Sequence, residues 1–283
     1  MGSAAALERE LQVARRLARE AGGILLEVYA TAFAVREKPA GGGPVTDADA
    51  RANTLIVDAL RAEFPDDAII AEESVGATAA HGPRCWYVDP LDGTREFVDR
   101  NGMFAVQIGL ALHADAVLGV VFAPVSGKLY SGIAGWGGTV EDAEGSRPLH
   151  VAPAPARADE LRLVVSRSHR SPRTEHVRQA LGIARVIESG SVGLKCGLLA
   201  EGLADLYLHP SKRTYRWDSC APEAILRAAG GSLTDLAGHS YRYDGRELEN
   251  TRGLLGCSPG ACELVLPTIR EMAQGVGLVP LPP

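Results

Sequence analysis

The sequence predicts a mixed α+β / α/β fold in two successive parts: an N-terminal half in which an antiparallel sheet packs on two helices, and a C-terminal α/β half. Three observations lead to it. Two amphipathic helical patterns open the chain, a run of β-patterned segments with short connections follows, and beyond the proline-rich stretch 151–156 strands alternate with helices. The division is accordingly placed at 1–155 and 156–283.

The first helix, 4–29, sets Leu7, Leu11, Ala14, Leu17, Ala18, Ala21, Leu25 and Val28 at helical spacing, with Ser3 as its cap. Residues 31–38 read as extended. Residues 39–44 carry three consecutive glycines and read as a flexible loop, without the Gly-Lys-Ser/Thr ending of a Walker A loop. Thr46 caps the second helix, with Asp49 as the carboxylate of a capping box, and Leu55, Ile56, Ala59 and Leu60 form its apolar face up to Pro65. A strand at 68–71 ends on Glu72-Glu73-Ser74, and 75–83 is a small-residue loop. Trp86, Tyr87 and Val88 read as the end of a buried strand that breaks at Pro90, whose ring fixes φ and removes a donor. Strands at 104–112 and 116–124, joined through His113-Ala114-Asp115, and another at 128–133 continue to Gly138 as an antiparallel meander packed on the first two helices. In the second half, strands at 161–165, 185–187, 204–208, 232–234 and 254–256 interleave with helices at 172–181, 191–201, 218–229 and 261–273.

Apolar residues make up 46% of the 283, enough for a sizeable core. The net charge of −6 argues against a nucleic-acid binder while leaving small phosphorylated molecules open. Five cysteines, an odd number with no Cys-x-x-Cys pair, argue against a disulfide framework or structural zinc and for reduced thiols in the cytoplasm. With no apolar leader, no myristoylation pattern and no run long enough to span a bilayer, no membrane attachment is expected.

The chain is organised around Asp89-Pro90-Leu91-Asp92-Gly93-Thr94. Two carboxylates on a sharp turn suit hard divalent cations, and the amides and hydroxyl at its end suit an oxyanion such as phosphate. Taken alone, the fragment reads first as a solvated turn, because Asp and Gly are ordinary turn formers. Three further features change the balance: Asp49 near a helix start, Glu72-Glu73 after a strand, and Asp218 at a helix start after Trp217. The C-terminal ends of strands are where ligand groups collect in α/β folds.

In their order along the chain, Val45-Thr46-Asp47-Ala48-Asp49, Glu72-Glu73-Ser74, the Asp89 to Thr94 turn and Trp217-Asp218-Ser219-Cys220-Ala221-Pro222-Glu223 resemble the inositol monophosphatase-like superfamily of magnesium-dependent, lithium-sensitive phosphatases. Val165-Ser166-Arg167-Ser168-His169 and Ser191-Val192-Gly193-Leu194-Lys195 narrow the resemblance to its 3'(2'),5'-bisphosphate nucleotidase (CysQ-type) branch. The resemblance implies a layered αβαβα sugar-phosphatase-like fold, with a metal-site half at 1–155 and a substrate-binding half at 156–283. It implies removal of the 3'-phosphate of adenosine 3',5'-bisphosphate (PAP), giving AMP and phosphate, with the sulfated nucleotide PAPS as a further substrate.

Carried over residue by residue, Glu72, Asp89 and the Leu91 carbonyl would hold a first Mg2+, and Asp89, Asp92 and Asp218 a second. Glu73 would act through water on a third, weaker ion. Asp49 and Thr94 would orient a metal-bound water, with Glu72 counted among the catalytic groups, and the Gly93 and Thr94 amides would take phosphate oxygens. Ser166, His169 and Lys195, with Asp218, would contact the nucleotide; Arg213 and Arg216 are weaker phosphate candidates, and Trp217 a packing residue. For Lys195 a helix-surface position, and for His169 a solvated loop, are the plain alternatives. The expected partner is a small phosphorylated nucleotide, with a homodimer left open.

Three rivals remain. A haloacid dehalogenase-type phosphatase has its two aspartates two positions apart, whereas Asp89 and Asp92 are separated by three, so no phospho-aspartate is expected. An inositol monophosphatase would share the metal site and differ in substrate. A non-catalytic phosphate-binding relative would have lost a ligand or the Asp49–Thr94 pair, and all are present.

Overall fold

The computed structural model describes residues 7–37, 44–74, 82–245 and 247–275. Seven α-helices and fourteen strands among them form five stacked layers. The glycine loop, most of the 75–83 loop and Ser3 lie outside the described residues. The first helix, α1 (Glu8–Tyr29), begins after Leu7, which makes no side-chain cap. It packs against α2 (Asp47–Glu63), and their small and aliphatic residues Ala14, Leu17, Ala18, Ala21, Ala52 and Ile56 are fully buried. Between them Arg36–Glu37 (β1) and Pro44–Val45 (β2) make a short antiparallel pair.

These helices cover one face of a seven-stranded sheet ordered β3 to β9 in chain sequence: Ala68–Ala71, Arg84–Asp92, Ala105–Leu112, Asp115–Ala123, Lys128–Ile133, Gly137–Asp142 and Gly145–Pro148. Every neighbouring pair is antiparallel except β3 and β4, which are parallel. The meander thus runs two strands beyond the expected end at Gly138. The β5–β6 turn is tight because His113 and Ala114 both adopt positive φ, 51° and 70°. Pro90 does not break its strand. Strand β4 runs on to Asp92 through a bulge, so the missing N–H of Pro90 falls where the ladder is already irregular.

The second sheet is ordered β11-β10-β12-β14-β13, from Arg185–Ser189, Arg162–Ser166, Leu206–His209, Leu254–Cys257 and Ser232–Thr234. Its first three strands are parallel, whereas β14 runs antiparallel to both neighbours because no helix connects it back. Helices α4 (Pro172–Ala180) and α7 (Ala261–Gly275) cover its outer face, with Val177, Val265 and Ile269 against Leu163 and Leu206.

The central layer is α5 (Val192–Ala200) and α6 (Arg216–Ala228), packed between the two sheets. Helix α6 lies unusually close to β5 and β6. A Cβ on Gly119 would stand 2.1 Å from Ala221 O, and one on Gly109 2.6 Å from Ala221 N. Only hydrogen fits at both positions, and this approach brings the start of α6 to the end of β4.

Candidate active site

In a regular strand, residues three apart point to opposite faces. Asp89 and Asp92 escape this because Asp89 pairs with Gln107 and Asp92 with Ala105, leaving Pro90 and Leu91 opposite Val106 alone. The extra residue turns both carboxylates the same way. Asp218, at the first turn of α6, meets them: ligand atoms of Asp89, Asp92 and Asp218 all lie within 4.8 Å of one another. Asp89 Oδ1 accepts a bond of 2.9 Å from Leu91 N, and Asp218 Oδ2 accepts the Tyr215 amide at 2.6 Å, closing the helix cap.

Asp92 is the most tightly held of the three. Its Oδ2 accepts from Gln107 Nε2 and Ser191 Oγ, each at 2.5 Å, from Val192 N at 2.6 Å and from Gly193 N at 3.1 Å. Two of these donors are the first amides of α5, whose dipole favours an anion there. Ser191 itself stands at φ 45°, a left-handed value that strains any residue but glycine.

Burial, then repulsion from Glu72, Asp92 and Asp218, pushes Asp89 well above the usual carboxylate range. Burial and the Asp92 and Glu72 charges do the same to Asp218. Asp92 is also raised by burial, with Lys195 and the Ser191 hydroxyl pulling the other way. The charge of Glu72, in the single helical turn Glu72–Ser74 that ends β3, thus acts on both Asp89 and Asp218. Buried carboxylates crowded at this separation destabilise one another unless a cation joins them. An all-oxygen donor set of this kind fits a hard divalent metal.

Beside the cluster, Thr94 opens the short helix α3 (Thr94–Val98) after Gly93, whose φ of 96° makes the turn. Thr94 Oγ1 lies 3.4 Å from Asp49 Oδ1 and 3.3 Å from Leu91 O. The other oxygen of Asp49 accepts Thr46 N and Thr46 Oγ1, both at 2.8 Å, so the capping box of α2 aims Oδ1 at Thr94.

A model of the inositol monophosphatase family matches residues 6–274. The chain belongs to the inositol monophosphatase family. It is 39% identical over 238 residues to the 3'(2'),5'-bisphosphate nucleotidase CysQ of Escherichia coli O157:H7, covering 82% of this chain and 93% of that protein. Identity to inositol monophosphatase 2 of Mus musculus is 35% over 241 residues, 80% of each chain. The crystal structure of CysQ from Bacteroides thetaiotaomicron, described as a bacterial member of the inositol monophosphatase family, superposes with a TM-score of 0.71 at 31% identity, over 89% of this chain and 97% of that one.

The remaining sequence candidates in this family member lie in the C-terminal half. Ser166 ends β10, and its Oγ accepts His169 N at 3.1 Å; His169 is exposed. Lys195 is not a helix-surface residue: it is 4% exposed, with Nζ donating to Gly190 O at 3.0 Å and lying over the Tyr207 ring. Arg216, expected as a phosphate contact, is 2% exposed and serves the scaffold, donating to Arg242 O, Glu249 O and Asn250 Oδ1. Arg213 is exposed. Trp217 packs as expected, stacked on Tyr215 at 4.7 Å. Among the described residues no helix is long and apolar enough to cross a membrane.

Gln107 and His209 escaped the sequence reading, and Ser191 entered it only as the first residue of a motif, with no role of its own. Gln107 carries a visible signal, as the one amide in the apolar run 104–112. His209 carries none. Burial, with Lys195, His169 and Arg213 nearby, pushes it down to about 4.

Proposed function

We propose that this protein is a Mg2+-dependent phosphomonoesterase that removes the 3'-phosphate of adenosine 3',5'-bisphosphate, giving AMP and phosphate, and that it also accepts PAPS. The observation that carries the reading is the Asp89–Asp92–Asp218 cluster standing beside the Thr94–Asp49 pair. Similarity to the CysQ nucleotidases supports the nucleotide branch.

Asp89, Asp92, Asp218, Glu72 and the Leu91 carbonyl would hold two ions, with Glu73 beside a third. Bound there, the ions would neutralise the phosphoryl charge and acidify a water molecule. The chain's own groups do the rest. Thr94 donates its hydroxyl proton to Asp49, which leaves its oxygen lone pairs to accept from the attacking water. That water adds to phosphorus in line as the P–O3' bond breaks, the proton it sheds reaches the departing oxygen through solvent water, and inorganic phosphate and the nucleotide hydroxyl result. The Gly93 and Thr94 amides receive phosphate oxygens. Ser166, His169 and Lys195 would receive the phosphate that does not react. Burial lowers both His169 and Lys195, and an arriving dianion would draw each back towards its charged form.

The test is phosphate release from PAP, PAPS, inositol 1-phosphate and fructose 1,6-bisphosphate in parallel, with Mg2+ and with added Li+. A higher kcat/KM for PAP than for the others is expected. Preference for inositol 1-phosphate would overturn the substrate and leave the hydrolytic site standing.

A further inference from the structure

Glu96 sits two residues beyond Thr94 on α3 and is 3% exposed, and Ser168 Oγ donates to its Oε1. Ser168 belongs to the other half of the chain, in the loop between β10 and α4. The same loop is tied twice more. Arg167 N donates to Ser189 O at 3.1 Å, and Arg167 Nη1 lies 3.9 Å from Asp99 Oδ2 just past α3. The approach is close enough to exclude a side chain at Gly190, where a Cβ would stand 2.1 Å from Met103 O and 2.6 Å from Glu96 Cγ. Thus the element that carries Thr94 and the loop that carries His169 are joined by a part-buried carboxylate–hydroxyl contact. Glu96 also shares its electrostatic surroundings with His169 and Lys195.

We propose that Glu96 and Ser168 form a latch that fixes the 166–170 loop beside the phosphoester site, making them positioning residues for a substrate that carries a second phosphate. The proposal rests on the nucleotidase reading above and deepens it. With the latch closed, His169 is held near Lys195, on the side where a non-reacting phosphate would lie. With the latch open, the hydrolytic groups on β4, α2 and α6 stay in place and only the grip on the second phosphate is lost. A monophosphate substrate should therefore be indifferent to it.

The test compares wild type with Ser168→Ala, Ser168→Thr and Glu96→Ala. For Ser168→Ala and Glu96→Ala, KM for PAP should rise about tenfold with kcat within about twofold, the size expected for losing one hydrogen bond to a charged group. KM for inositol 1-phosphate should stay within about twofold, and Ser168→Thr, which keeps the hydroxyl, should recover most of the loss. The His169 ring resonances give a second readout that needs no substrate. Their titration midpoint should rise towards the ordinary value of about 6.5 in Ser168→Ala as the loop carries the embedded face of the imidazole out into water and away from Lys195 and Arg213. Equal changes for both substrates, or no change for PAP, overturn the latch. If wild type does not cleave PAP, the functional reading fails and the His169 midpoint decides: a midpoint unmoved in Ser168→Ala overturns the latch, and a raised one upholds it.

Discussion

Ser191 Oγ donates a 2.5 Å hydrogen bond to Asp92 Oδ2 across a sequence separation of 99 residues. One oxygen of this acid-cluster residue is thereby committed to the N-terminus of α5. The same hydroxyl accepts Leu194 N at 3.2 Å, so one side chain caps a helix and steadies a site carboxylate. Ser191→Ala should cost about 2 kcal/mol of stability, a lost cap plus a carboxylate missing one donor. Ser191→Gly should cost less, because glycine relieves the strain at φ 45°. Urea unfolding of the two variants side by side checks the order, and equal losses would contradict it.

The acid cluster predicts a distinctive response to metal. Chelation should lower the melting temperature of wild type, and a divalent cation at about a hundred times its Kd should restore about 2–3 kcal/mol. Asp89→Asn relieves repulsion from Glu72, Asp92 and Asp218. It should melt higher than wild type in EDTA, gain little from the cation, and lose about a thousandfold or more in phosphate release. Scanning calorimetry with and without Mg2+ separates the two effects.

In the proposed mechanism Thr94 and Asp49 act through a hydroxyl that stands 3.4 Å from a carboxylate oxygen. Thr94→Ala should lower kcat about a hundredfold with KM little changed, and Thr94→Ser should recover most of it. Asp49→Ala should in addition destabilise α2 by about 1 kcal/mol, since its second oxygen closes the capping box. Steady-state kinetics and thermal melts on the same preparations distinguish the two residues.

Glu223 supplies a pH test away from the acid cluster. It is 2% exposed, and burial pushes it up to about 7 despite a 2.7 Å bond from Tyr243 OH. A carboxyl whose folded value exceeds its unfolded one near 4.3 favours folding least once it is ionised in both states. Stability should therefore fall by about 3 kcal/mol as pH rises from near 4 to 7 and level off above. Glu223→Gln should abolish that component and be the more stable protein at pH 8. Unfolding free energies of both proteins across this range are the measurement; parallel curves would refute it.

Close packing of α6 connects the core to the site. Gly119→Ala would place a methyl group 2.1 Å from Ala221 O. Backbone has to yield there, costing about 3 kcal/mol, and Asp218 three residues upstream moves with it. Loss of stability should be accompanied by a weaker metal midpoint, read by cation titration. A destabilised variant with an unaltered midpoint would uncouple the two.

The sequence by itself determined what depends on near neighbours. The Thr46–Asp49 capping box is written in residues three apart, and the order of strands and helices follows from alternation and helical spacing, because both are set by the sterics of a few consecutive residues. The acidic positions could be named because their motifs, in their order along the chain, resemble those of the inositol monophosphatase family. Only the tertiary structure decided how those positions act. Asp89 and Asp92 share a face through a bulge whose register is set by β5, not by Pro90. Lys195 reads as a surface lysine on its own helix and becomes buried because that helix is packed between two sheets. The donors on Asp92 come from residues 15 and 99 to 101 positions away. Contacts at such separations arise from the pairing of strands and the stacking of layers, which no local pattern encodes.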